Sequence, residues 1–424
     1  MLKSALCGNS LRITLGSFGL AVVTKGNETH RDIHWQRVES STKEAAVMFC
    51  VMQKIFTVAA LTLLLFWPAA YTAEAPWKSD WDRTVKAAEA EGAVVIYTSS
   101  SLEPTFTEAF QRKFPRIKVT TVSGRGFQLG QRVLSERRSG KFIPDVFVQG
   151  ATTPSTALYP AKALASIRKQ LVLPDILDQS NWWQGRHHYV DPEGEYIFMF
   201  EGAPSNGNLI YNTNLVKPDE LKSYWDLIDA KWKSKIVIMD PTTAGPASQT
   251  MLFFYFSAEL GPQYLKRLSE ANPTIIQDDV RLIDWVATGK FALGFFPRGT
   301  DITKAEKSGL PVKQFPTVHF KEGAFVSTTG FTISLLEQAP HPNAAKVLIN
   351  WFLSREGQSV WLENVAKEAF DYDSLREDVP KDKIPIDSKR IPGFKYFVIT
   401  KHQLLTDKKP AELVKQLLTP SQKQ

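Results

Sequence analysis

Cysteine is nearly absent from this chain of 424 residues, with only Cys7 and Cys50 present. Both precede a segment that reads as an export signal, so a chain starting at Glu74 has none. That excludes disulfides, thiolate metal sites and cysteine nucleophiles together. Other absences narrow the field further. There is no G-x-S-x-G elbow, no H-E-x-x-H and no phosphate-binding G-x-x-x-x-G-K-[ST] loop. No block of Lys and Arg and no basic-aromatic alternation occurs, which argues against nucleic acid as a partner. Low-complexity tracts and short-period repeats are missing as well.

The export signal has three parts. Lys54 supplies a positive start, residues 55–67 an apolar stretch, and Ala70-Tyr71-Thr72-Ala73 a small-x-small end. Thirteen apolar-dominated residues are short for a membrane span, and no basic stop-transfer cluster follows. Met48 and Met52 are both natural starts. Residues up to 47, or up to 51 if synthesis begins at the second, therefore read as an upstream extension outside the fold, with 52–73 as the signal. Cys50 lies before the apolar stretch instead of just after it, which argues against a lipid-modified terminus. The expected product is free in the periplasm.

Of the 51 basic and 44 acidic residues, seven and four precede Glu74, leaving 44 and 40 and a mild net charge of +4. The remaining chain of about 350 residues exceeds one ordinary core and points to two lobes. Residues 77–91 carry Trp77, Trp81, Val85 and Ala88 at helical spacing with Gly92 as a stop. The β-branched run Val94-Val95-Ile96-Tyr97 follows, then the hydroxyl-rich turn Thr98-Ser99-Ser100-Ser101, then Phe106, Ala109, Phe110 and Phe114 on a second helix. The unit repeats as a strand over 117–122, the turn Gly124-Arg125-Gly126, a helix with Leu129, Val133 and Leu134 inward, and a strand over 144–148. Alternating strands and helices predict a parallel sheet covered on both faces, with ligands beyond the carboxyl ends of the strands.

After Asp175 the pattern becomes strand-like over 189–200 and 207–211, segments that read as connections between the lobes. A second α/β block follows: a helix over 224–228, the strand Ile236-Val237-Ile238-Met239, a helix over 248–260 and a buried strand over 291–296. Residues 331–335 read as a strand returning to the first lobe, and the helices from Asn343 onward as packing across the outside. The expected organisation is 77–206 for lobe 1, 207–325 for lobe 2, 326–365 for the return, and 366–424 for C-terminal helices and a tail.

The stretches AVVIYTSSS (93–101), GNLIYNTNL (207–215), WKSKIVIMDP (232–241) and HPNAAKVLINWFLSREGQSVW (341–361) resemble the solute-binding proteins of bacterial ABC importers, in the branch that includes ferric-iron binders. The resemblance runs from about Trp77 to Trp361. It implies an α/β, two-lobed type II periplasmic-binding-protein fold with a hinged interlobe cleft, a small-molecule ligand, and an inner-membrane permease as partner. A monomer without cofactor is expected. Ferric members of the branch are recognised by two adjacent late tyrosines, and this sequence has no Tyr-Tyr.

Strand-end turns supply the candidate ligand residues. Ser99 and Ser100 would cradle an anion at a helix start, although the same residues are ordinary N-caps. Arg125 would pair with a carboxylate or phosphate, against the reading of a surface arginine. Gly124, Gly126 and Gly130 miss the dinucleotide fingerprint by one residue and read as allowing a tight turn. Gln149, Thr243 and Arg298 fall at equivalent strand ends, and Thr243 and Arg298 suit an anion best. His187-His188-Tyr189 reads as a satisfied or exposed histidine pair, because strand neighbours point to opposite faces. Trp182-Trp183 reads as core before partner surface, and Lys162, Arg168 and Lys169 as candidates for docking the permease.

The leading expectation is thus a periplasmic receptor for a small organic anion, with no metal and no chemistry of its own. A ferric-iron carrier is the alternative within the resemblance. A secreted α/β enzyme acting on a small anion is the alternative of another class, and turnover separates it from a receptor.

Overall fold

The computed structural model describes residues 76–98, 105–243, 246–327, 331–367 and 373–419. The proposed extension and signal, and the candidates Ser99 and Ser100, lie outside the described residues. Two sheets dominate. The first is seven-stranded: β1 (Ala93–Thr98), β2 (Lys118–Ser123), β3 (Val146–Gln149), β4 (Leu164–Ala165), β5 (His188–Tyr189), β6 (Phe198–Met199) and, far along the chain, β14 (Thr332–Leu336). Its order is β2-β1-β3-β14-β6-β5, with β4 on β14. β1 is parallel to β2 and β3, while β14 runs antiparallel to β3. The parallel reading therefore holds for the first three strands, and the returning strand reverses direction.

β1 shows why the chain folds this way. Val94 and Ile96 enter the core on one face and Tyr97 is buried on the other, as the period of two requires when both faces are covered. Helix α1 (Pro76–Glu91) and α2 (Thr105–Lys113) supply Ala88, Phe106 and Phe110 to that core. A late helix, Pro342–Leu353, lies within it and not across the outside as expected, with nine of its twelve residues buried. Trp182 and Trp183 belong to the same core.

The second sheet joins β8 (Ile210–Asn212), β9 (Ile236–Met239), β10 (Thr274–Ile276), β11 (Leu293–Phe295) and β12 (Val312–Gln314) in the order β10-β9-β11-β8-β12. β10, β9 and β11 are parallel and β8 is antiparallel. The helix read over 224–228 is present as a 3₁₀ helix, Tyr224–Ile228, opened by a capping box between Ser223 and Asp226.

A third sheet, β15-β13-β7, connects the lobes: β7 is Ala203–Ser205, β13 Ala324–Ser327 and β15 Tyr396–Val398. Its alternation faces both cores. In β13, Phe325 enters the core of the second lobe and its neighbour Val326 that of the first. In β15, Tyr396 and Val398 pack on the first core and Phe397 on the second. Pro204 sits in an edge strand, the place in a sheet where a residue without an N-H is tolerated. The chain after 366 therefore holds a strand as well as helices, and its last helix, Lys409–Leu417, packs Val414 into the second core.

Candidate functional site

The carboxyl ends of the parallel strands carry the described candidates. In lobe 1, the Thr98 carbonyl at the end of β1 accepts a bond from the Gly124 N-H (3.0 Å), and the buried Thr98 hydroxyl has no partner among the described residues. Helix α3 (Gly126–Arg138) begins directly after β2. Arg125 occupies its N-cap in an extended conformation (φ −67°, ψ 136°) without a side-chain cap bond. It is exposed, and its guanidinium has no partner among the described residues. Gln149, at the end of β3, is buried and its Nε2 donates to the Gly124 carbonyl (3.1 Å). Gln149 thus holds the turn that presents Arg125 and does not itself face solvent.

The glycines here serve close packing. None of Gly124, Gly126 and Gly130 has a positive φ, so the tight-turn reading is replaced by a different reason. A Cβ on Gly126 would lie 3.2 Å from Gln149 Oε1 and Thr153 Oγ1, and one on Gly130 only 2.4 Å from Thr153 Cγ2. Gly130→Ala is expected to destabilise the protein by about 1–3 kcal/mol through overpacking. Adding Thr153→Ser, which removes that methyl, should restore stability in urea titrations. A Gly130→Ala single variant more stable than the parent would refute the packing argument.

In lobe 2, Asp240 follows β9. Burial alone would raise its carboxyl pKa, but bonds from Thr242 (N 2.9 Å, Oγ1 2.6 Å) and Gln277 Nε2 (2.9 Å) hold it below the usual carboxylate range. The exposed Thr243 donates its hydroxyl proton to the Asp240 carbonyl (3.1 Å). Arg298, after β11, has 67% of its side chain exposed and caps helix α7, counted with α4 (Pro246–Phe256), α5 (Gly261–Glu270) and α6 (Asp279–Ala287), over Gly299–Lys307. Its Nε lies 2.9 Å from Asp279 Oδ2 and 3.6 Å from Asp301 Oδ2. Its two terminal nitrogens remain open among the described residues.

The histidine pair is satisfied. His187 Nε2 lies 2.7 Å from the Ile176 carbonyl, and His188 Nε2 3.0 Å from that of Trp183, on whose ring it stacks. Burial lowers both pKa values, that of His188 to about 4. Of the docking candidates, Arg168 lies over the Tyr189 ring and beside Glu195. Sequence reasoning missed Asp279. Asp278-Asp279 before an apolar periodic run signals a helix start, and nothing local ties it to an arginine 19 positions on.

These two α/β lobes, with polar turns at their parallel strand ends and a three-stranded connection between them, define a binding protein of two lobes. The profile of the bacterial extracellular solute-binding proteins matches residues 105–368, and the chain belongs to that family. A protein of Salmonella typhimurium, provisionally named a 2-aminoethylphosphonate-binding periplasmic protein, is 28% identical over 155 residues, 36% of this chain and 45% of the relative. The match thus spans a little under half of that relative's length. The Trichodesmium protein IdiA (FutA), solved with iron and citrate, superposes with a TM-score of 0.56 at 21% identity over 77% of this chain and 99% of its own. An ABC transporter protein from Clostridium perfringens gives 0.56 at 14% identity over 77% and 100%. At these identities the likeness shows the fold.

Proposed function

We propose that this protein is the periplasmic receptor of an ABC importer, that it closes its two lobes over a small organic anion, and that it delivers the anion, as a monomer, to an inner-membrane permease. The carrying observation is Arg298, anchored through Nε so that both terminal nitrogens stand open at a strand end. A planar guanidinium offered this way suits a group with two anionic oxygens. Arg125 supplies a second guanidinium, unpaired among the described residues, at the strand ends of the other lobe. A receptor works by binding its closed state more tightly than its open one, and no bond chemistry is required. The Salmonella relative's name makes a phosphonate the first ligand to try, and the Trichodesmium complex makes citrate and ferric citrate the next.

The test uses protein recovered from the periplasmic fraction, its start near Glu74 read by mass spectrometry. Calorimetric titration with 2-aminoethylphosphonate, inorganic phosphate, citrate and ferric citrate identifies the ligand, and product analysis separates capture from turnover. Arg298→Ala and Arg125→Ala should each lose on the order of 1.5–3 kcal/mol of binding without unfolding. Unchanged affinity in both variants would place the site elsewhere.

A further inference from the structure

The loop that carries Arg298 is held from three sides. Phe296, buried and bulky, adopts φ 72°, a left-handed conformation unfavourable for such a residue. The Pro297 carbonyl accepts a bond from Asn208 Nδ2 (2.9 Å), and Asn208 itself has φ 53°. Asp279 then grips Arg298 twice, with Oδ1 on its backbone N-H and Oδ2 on its Nε-H, both at 2.9 Å. Only 10% of the Asp279 side chain is exposed. A carboxylate placed to bind an anion directly would repel it. One that takes the inner edge of the guanidinium instead fixes the plane and direction of the outer edge.

We infer that Asp279 is a positioning residue for ligand recognition: it orients the Arg298 guanidinium so that its two terminal nitrogens meet a two-oxygen anionic group of the ligand. This rests on the receptor reading above. It deepens that reading by specifying the recognised group, a carboxylate or the oxygens of a phosphonate, and the residue that selects its orientation. Preorganisation of this kind raises affinity because the arginine's rotamer freedom is spent in folding and not in binding.

Asp279→Asn separates positioning from simple charge. Removing a negative charge next to Arg298 should strengthen anion binding if charge alone matters. Loss of positioning should weaken it. The expected result is about tenfold weaker calorimetric binding of 2-aminoethylphosphonate, or of phosphate or citrate if one of these proves the tighter probe, with thermal stability retained. In an Arg298→Ala background the same change should have no weakening effect. NMR of arginine-labelled protein gives a readout free of ligand: the Arg298 Nε proton should exchange slowly in the parent and fast in Asp279→Asn.

Asp279→Asn binding as tightly as the parent, while Arg298→Ala binds weakly, would overturn the positioning role and leave the receptor reading intact. An Arg298 Nε proton that already exchanges like those of free arginines would do the same. Unchanged binding in Arg298→Ala, or no binding of any probe by the parent, would instead overturn the reading on which the inference rests.

Discussion

Glu201→Gln is expected to flatten a decline in stability that the parent protein shows as pH rises from 6.5 to about 8. Glu201 follows β6 and enters the connection between the lobes, fully buried. Burial pushes its pKa from the ordinary 4.5 up to about 8, against the opposing pull of N-H bonds from Phe331 and Ala203 and of Arg390, and with a further push from Asp373. One carboxyl oxygen accepts the Phe331 N-H (2.7 Å) and the other has no partner among the described residues. Because the folded pKa lies above the unfolded one, the contribution to stability is complete below pH 4.5 and is lost as pH rises through about 8. Between pH 6.5 and 8 the loss is on the order of 2 kcal/mol. His188 works in the other direction. Its depressed pKa costs stability as pH falls from 6.5 toward 4 in parent and variant alike, so the difference between the two proteins isolates Glu201. Urea denaturation of parent and variant at pH 6.5, 7.5 and 8.5 makes the comparison, and parallel curves would mean that Glu201 is ionised throughout.

The residues around Glu201 also mark where the sequence stops being readable. The sheet strands were legible because burial on both faces leaves an unbroken apolar run: Ile236-Val237-Ile238-Met239 is β9 as read, and the run 94–97 sits inside β1. The connection between the lobes was misplaced: 189–200 and 207–211 hold β5, β6 and β8 of the two lobe sheets, while β7, β13 and β15 are short and their pairing joins residues such as Ser205, Phe325 and Phe397 across long stretches of chain. Arg376 and Arg390 look like surface cations in sequence, yet both are buried. Only the fold supplies their partners, Asp175 and Asp378 for one and Asp373 and Glu377 for the other. The candidate site divides the same way. Local rules find turns at strand ends and favour Arg, Thr and Gln there. They cannot show that Gln149 is spent on Gly124, that Thr243 donates to the Asp240 carbonyl, or that Arg298 is aimed by a carboxylate from another helix.

Arg390→Met should cost about 3–5 kcal/mol, because it takes one of two cations from the buried Asp373 carboxylate and the donor from the Gly202 carbonyl. The Arg390 side chain is 2% exposed and that of Asp373 1%, with Nη1 3.0 Å from Asp373 Oδ2. Lys381 Nζ lies 2.9 Å from the other Asp373 oxygen, and neither contact has the angle of a directed hydrogen bond. The directed bonds of Arg390 go elsewhere: Nη1 to the Gly202 carbonyl and Nη2 to that of Ser374, each at 2.6 Å. Gly202 lies between Glu201 and β7, and Ser374 bridges Glu201 from the C-terminal segment. One guanidinium therefore ties the chain after 372 to the interlobe connection. Lysine cannot bond both carbonyls from one planar fork, so Arg390→Lys should recover little. Arg390→Met with Asp373→Leu should recover most of the loss in guanidinium denaturation, since the under-compensated carboxylate leaves together with its partner and Lys381 keeps Glu377 at 3.3 Å. A single Arg390→Met variant within about 0.5 kcal/mol of the parent, the scale of an ordinary surface change, would show that the cluster does not hold the connection. If the loss appears and ligand affinity falls with it, the C-terminal segment takes part in the proposed closure, as expected of a segment whose β15 packs on both cores.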